Sequence, residues 1–208
     1  MVRLSYEGNI LDVSEEAALS WAIGNMISPL ELVGGIHWIL NFGMPSEPAT
    51  KFLGILDRNI LDLEQNRQIV DDPALRRSID KILPTLTGFV ENAQEIMKWQ
   101  QSSVSREALS KHREIVKTGG PSEPPWYSER EFQEIISRFG EAYRRYIEVL
   151  EIIIKDLKVV AERVNSQDIL HQLDYSAKKI PPVLDIINLG YREAIRRGAE
   201  HFDDTQSG

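Results

Sequence analysis

From Phe132 to Val164 the apolar residues fall at alternating spacings of four and three without a break. They are Phe132, Ile136, Phe139, Tyr143, Tyr146, Leu150, Ile153, Leu157, Val160 and Val164. A 3.5-residue period held over more than four heptads is the mark of helices packed as in a left-handed coiled coil. The spacing predicts one long helix over about 128–164, roughly 55 Å long at 1.5 Å per residue. Between Tyr146 and Ile154 the apolar character spreads to Ile147, Val149 and Ile152, which predicts a central rod enclosed by its neighbours. Ser128 and Glu131 read as a capping box for its start, with Tyr127 and Phe132 placed as a hydrophobic staple.

A second heptad run, Leu75, Ile79, Ile82, Leu86, Phe89, Ala93 and Ile96, follows Asp72 and Pro73. Aspartate suits the N-cap and proline the first helical position, where its missing N–H costs nothing. Pro84 inside the run predicts a kink rather than two unrelated helices. Leu53, Leu56, Ile60, Leu63 and Val70 place a third helix at about 47–70. Shorter helices are expected at about 105–117, 166–179 and 182–197, with Pro181 and Pro182 separating the last two. The tail 203–208 is expected to be loose. No period-2 alternation stands out as a strand.

Residues 17–44 contain only Glu31 and His37 as ionisable groups. Ser28-Pro29-Leu30-Glu31 reads as a helix start within this stretch, splitting it into helices of about 14–27 and 29–42. Each would be about 21 Å long, too short to cross a hydrocarbon core of about 30 Å. The segment is therefore expected to form an apolar helical hairpin (residues 1–44 as a subregion) buried under the long helices. The competing reading has residues 14–44 inserting into a bilayer or docking on a partner. The acidic flanks oppose anionic lipid: residues 1–50 hold Glu7, Asp12, Glu15, Glu16, Glu31 and Glu47 against Arg3, a net of −5.

The overall charge of −8 argues against nucleic-acid binding, which needs a clustered positive field. With no cysteine in the chain, thiolate metal sites and disulfides are excluded, which fits a reducing compartment. Arg3 is followed by acidic residues before any apolar run, the wrong order for a signal peptide. Cytoplasmic residence is the resulting expectation.

Nothing in the pattern points to catalysis. Asp168 and His171 are spaced for a shared metal, but a bundle di-metal site needs two such pairs and further glutamates. The remaining histidines, at 37, 112 and 201, lie on other segments. Gly34-Gly35 lacks the lysine of a phosphate loop. Tyr143-Arg144-Arg145-Tyr146 could suggest base stacking, yet both tyrosines occupy heptad core positions. No cofactor and no metal is expected.

Interaction residues are easier to nominate. Trp126, after Pro124-Pro125, either closes the end of the bundle or anchors a partner. Trp21 and Trp38 could sit at an interface. Lys178, Lys179, Arg192, Arg196 and Arg197 form a mildly basic stretch. The sequence thus predicts a single all-α domain over 1–208, an antiparallel bundle of about seven or eight helices. Its expected role is a non-enzymatic interaction or adaptor module that binds a protein partner or forms a homo-oligomer. Spare apolar surface is expected along the long stripe.

Overall fold

The computed structural model describes residues 1–32, 47–119, 126, 129–182 and 184–185. The chain opens with a β-hairpin, strands β1 (Val2–Tyr6) and β2 (Asn9–Val13). Helix α1 (Glu15–Met26) and a short 3-10 helix (Ser28–Leu32) follow. Then come α2 (Glu47–Arg67), α3 (Pro73–Ser103), α4 (Arg106–Lys117), α5 (Arg130–Arg163) and α6 (167–182). The described chain is thus mostly helical, with six α-helices and one two-stranded sheet.

α5 is the predicted long helix, and its 34 residues span roughly 50 Å. Nine of the ten stripe residues are buried, from Phe132 through Val160, and Val164 is half-buried. Four ordered contacts show α3 lying antiparallel against it. Lys81 meets Asp156 at 2.8 Å, Phe89 stacks on Tyr146, Glu95 meets Arg138 at 2.5 Å, and Trp99 packs on Phe132. α2 in turn runs antiparallel to α3, with Arg67 on Asp80 and Asp57 on Gln94.

The N-terminal helix docks on α5 from another side. Glu15 accepts from Arg163 at 3.0 Å, and the Met26 carbonyl accepts from Tyr146 at the other end. α6 turns back along α5 with Lys158 on Asp174. The turn between them is a Schellman motif: Ser166 N–H reaches Ala161 O and Asn165 N–H reaches Glu162 O, both at 3.1 Å. Asn165 supplies the left-handed residue at φ +54°, a role asparagine fills second only to glycine.

Local chemistry set the start of α3 as anticipated, and serine caps set two more. The Asp72 carboxylate accepts from Ala74 N and Leu75 N at 2.9 Å, with Pro73 first in α3. A single helix runs through Pro84, whose ring faces solvent. Ser14 caps α1 through Ala17 N, and Ser105 caps α4 through Ala108 N.

Other expectations need correction. The subregion expected as a helical hairpin opens instead with two strands, Val2–Tyr6 and Asn9–Val13, where no strand was expected. Ser28 opens a 3-10 turn of five residues, because buried Ile27 and Leu30 fix the chain there by packing. The second limb expected at 29–42 lies beyond Leu32 outside the described residues. So do Ser128, most of the helix expected at 182–197, and the tail 203–208. α5 starts from Glu129 with no side-chain cap, and α6 continues through Pro181 and Pro182. α5 is also not enclosed on every side: Glu148, Glu151, Ile152 and Lys155 are exposed. α1, α3 and α6 cover three flanks and leave the fourth in water.

Candidate interaction surface

The hairpin turns on Glu7 and Gly8, both at positive φ (49° and 79°). That is the backbone of a two-residue primed turn, whose twist matches the flanking strands. Gly8 tolerates this conformation without a Cβ penalty. Val2 and Leu4 point into the core and are buried, while Arg3 and Ser5 alternate outward.

The free edge of β1 is closed by side chains from the end of α2 and the loop after it. Asn66 accepts from Ser5 N at 2.7 Å and donates to Ser5 O at 3.0 Å, standing in for a neighbouring strand. The same amide donates to Asp62 O at 2.9 Å, so this buried side chain is fully engaged. Asp71 accepts from Arg3 N at 3.0 Å, a bond that holds its carboxyl below the usual carboxylate range.

β2 is treated differently. Its residues Asn9 to Asp12 are exposed, and no hydrogen bond joins its outer edge to any described residue. Because Ser5 directs its N–H and C=O away to Asn66, Ser5 and Ile10 form a non-hydrogen-bonded pair in the register Ser5↔Ile10. The backbone groups of Ile10 and Asp12 therefore face outward. Ile10 is 64% exposed, Tyr6 58% and Leu11 44%, which gathers three large apolar side chains on one hairpin. The other exposed apolar residues are dispersed. Ile152 and Val159 stand among charged neighbours on α5, and Tyr175 carries Lys179 over its ring at 4.1 Å. Scattered apolar residues are normal; exposed apolar residues on both faces of an open edge strand, Leu11 on the core-facing side and Ile10 on the other, are not.

The nominated residues distribute unevenly. Trp126 is 2% exposed and meets His112 edge-to-face at 5.4 Å between ring centres. It closes the bundle beside α4, so as it stands it offers no surface to a partner. Trp21 is half-buried against the core. Lys178 is exposed and Lys179 is half-buried on Tyr175. Trp38, Arg192, Arg196 and Arg197 lie outside the described residues. Among the described residues, Lys178 and Lys179 are neighbours on α6, while Trp126 and Trp21 pack into the bundle.

The chemistry candidates separate in the same way. Asp168 and His171 are both exposed on α6, and among the described residues no group of three or more metal-type ligands converges. Tyr143 and Tyr146 are buried while Arg144 and Arg145 face solvent, Arg145 pairing with Glu141. Those tyrosines are inaccessible to a stacked base. Among the described residues, no helix is long and apolar enough to cross a membrane. The stripe expected to leave spare apolar surface is buried along its length up to half-buried Val164, while the hairpin exposes Tyr6, Ile10 and Leu11.

No protein-family model matches the chain, and comparison with characterised proteins and with solved structures gives no match.

The hairpin was missed by sequence reasoning although two signals were present. Val2-Arg3-Leu4-Ser5 alternates apolar and polar, and Glu7-Gly8 ends in the glycine that a primed turn favours. The strands are only five residues long, and β2 lacks the alternation that a buried face would impose.

Proposed function

We propose that this protein is a non-enzymatic interaction module: a helical bundle that binds a protein partner or a copy of itself through its N-terminal hairpin. The observation that carries this reading is the contrast between the two sheet edges. β1 is closed by Asn66 and Asp71, whereas β2 presents open backbone groups flanked by Ile10, Leu11 and Tyr6. Strand addition to such an edge draws affinity from main-chain hydrogen bonds and selectivity from flanking side chains. The negative net charge and the cysteine-free composition fit a protein-binding role in a reducing, cytoplasmic setting.

Insertion of residues 14–44 into a bilayer is the rival. It requires α1 to leave a core in which Ala18, Leu19, Ala22, Ile23 and Met26 are buried. It also breaks the Tyr146–Met26 hydrogen bond. Those contacts favour docking through the hairpin over insertion through α1.

The test is affinity capture from the native host with wild-type bait and with an Ile10→Lys, Leu11→Lys bait whose melting temperature matches. Loss of specific proteins from the variant capture, or a lower mass of the bait complex in light scattering, supports the reading. Identical captures and identical masses would overturn it.

A further inference from the structure

We propose that β2 pairs antiparallel with β2 of a second copy of this chain, with Leu11 at the two-fold axis, so that two hairpins join into one four-stranded sheet. The proposal rests on the hairpin being the interaction surface, and it names the occupant of the open edge.

The outward-facing groups restrict the register. Ile10 and Asp12 each present an N–H and a C=O to the open side, because Ser5 and Arg3, their partners in the hairpin, turn theirs toward Asn66 and Asp71. Opposing Ile10 to Asp12 of the copy uses both residues of both strands. Each such pair exchanges two hydrogen bonds. Centring the pairing on Ile10 would instead set Asp12 against Gly8, which is committed to the turn at φ +79°. Centring it on Asp12 would oppose two carboxylates, a destabilising cross-strand pair. Only the Leu11-centred register satisfies all the outward groups without a like-charge pair.

The side chains agree with that register. Leu11 sits opposite Leu4 on the core-facing side of the hairpin. Leu4 is 4% exposed and Leu11 44% exposed, so the apolar row starts in the core and stops at the open edge. Placing Leu11 beside Leu11 of the copy continues that row across the axis into the second core. On the opposite face Arg3 lies 3.5 Å from Asp12 within each hairpin. Every Asp12 therefore brings its own counter-charge to the junction and meets an isoleucine across it.

Of the features that normally block pairing, the edge carries one charged residue, Asp12, which Arg3 offsets. Asn9–Val13 contains no proline and no lysine, and its register with β1 runs unbroken from Asn9 to Val13. The β1 edge of the same hairpin is closed by two side chains. That asymmetry is the pattern of a sheet built to be extended on one side.

The absence of cysteine from the chain permits a direct test on the full-length protein. Residues at a non-hydrogen-bonded antiparallel pair have Cα atoms about 4.5 Å apart, within the disulfide range of about 4.4–6.8 Å. Leu11→Cys should give a disulfide dimer under mild oxidation at micromolar concentration. Ile10→Cys, displaced from its own copy by two residues along the strand, should stay monomeric on a non-reducing gel. Wild-type protein should sediment as a concentration-dependent species of twice 23.7 kDa. Ile10→Pro should weaken the dimer at least about tenfold, because the outward N–H is lost from both copies while the bonds to β1 remain.

Three results would overturn the assignment: a monomeric wild type at several hundred micromolar, a Leu11→Cys protein that does not cross-link, or equal cross-linking at Ile10 and Leu11. The cysteine pair keeps the test decisive even if Ile10→Pro disturbs the hairpin. A monomeric protein whose hairpin still captures another protein defeats the second copy but leaves the interaction-module reading standing. Loss of both defeats both.

Discussion

The phenol of Tyr146 donates a 2.9 Å hydrogen bond to the carbonyl oxygen of Met26, joining residues 120 positions apart in a fully buried contact. Met26 ends α1, where carbonyls have no partner within the helix. The bond thus satisfies a buried acceptor that water cannot reach. Tyr143, one turn earlier on α5, is equally buried, but its hydroxyl has no hydrogen-bond partner among the described residues.

These neighbours should respond oppositely to loss of the hydroxyl. Tyr146→Phe strands the Met26 carbonyl and should cost about 1–3 kcal/mol, the usual penalty for an orphaned buried group. Tyr143→Phe removes an unsatisfied group and should be neutral or stabilising. Urea unfolding of the two variants measures the difference directly, and equal losses would contradict the assigned geometry.

Alkaline pH should destabilise the fold through the same pair. Burial raises the pKa of both tyrosines, and for Tyr146 the neighbouring Tyr143 adds to it. In the unfolded chain a tyrosine ionises near pH 10. Above that pH the unfolded state holds fewer protons than the native state, so stability falls as pH rises. Below pH 10 both states are protonated and the contribution is constant. Absorbance titration at 295 nm should show Tyr143 and Tyr146 ionising only as the far-ultraviolet helical signal is lost, with the Tyr143→Phe and Tyr146→Phe variants each removing one late-titrating group.

Asn66 is the residue that holds the hairpin to the bundle. Asn66→Ala removes both hydrogen bonds to Ser5 and should cost about 1–3 kcal/mol. Hydrogen exchange at the Ser5 amide should accelerate, while amides in the middle of α5 keep their protection relative to global stability. The Asp71 anchor adds a pH term of its own. Its lowered pKa means that its contribution is present above the ordinary aspartate range and fades as pH falls through the folded-state value.

Asp72 joins two functions at the start of α3. It caps the helix through Ala74 N and Leu75 N, and its second oxygen lies 3.4 Å from Arg163. Asp72→Ala should cost about 1 kcal/mol, mostly as a lost cap, since an exposed ion pair adds little. Asp72→Asn, which preserves the cap, should recover most of that loss in thermal melts. Equal losses in Asp72→Asn and Asp72→Ala would show the ion pair to dominate.

Helix periodicity was legible because a long amphipathic stripe repeats one physical requirement many times. Each heptad position from Phe132 to Val160 must be apolar, and any single exception would be outvoted. The hairpin has no such redundancy. Its two buried residues, Val2 and Leu4, are a short signal, and its β1 edge is closed by Asn66, a polar residue within a helix whose role only tertiary contact reveals. Trp126 carried two readings because Pro-Pro-Trp does not say which way the indole turns; His112 received it. The open edge of β2 was illegible for the same reason: exposure of Ile10 and Leu11 depends on what the fold fails to place over them.

The docking of α1 on α5 also orders events during synthesis. Ala18, Leu19, Ala22, Ile23 and Met26 leave the ribosome well before Tyr146 exists to receive Met26. At a translation rate of about 5–20 residues per second, that interval lasts roughly 6–24 s. A nascent chain of this protein therefore holds the Met26 carbonyl and the α5-facing side of α1 uncovered for seconds, although α2 and α3, which also pack on α1, emerge sooner.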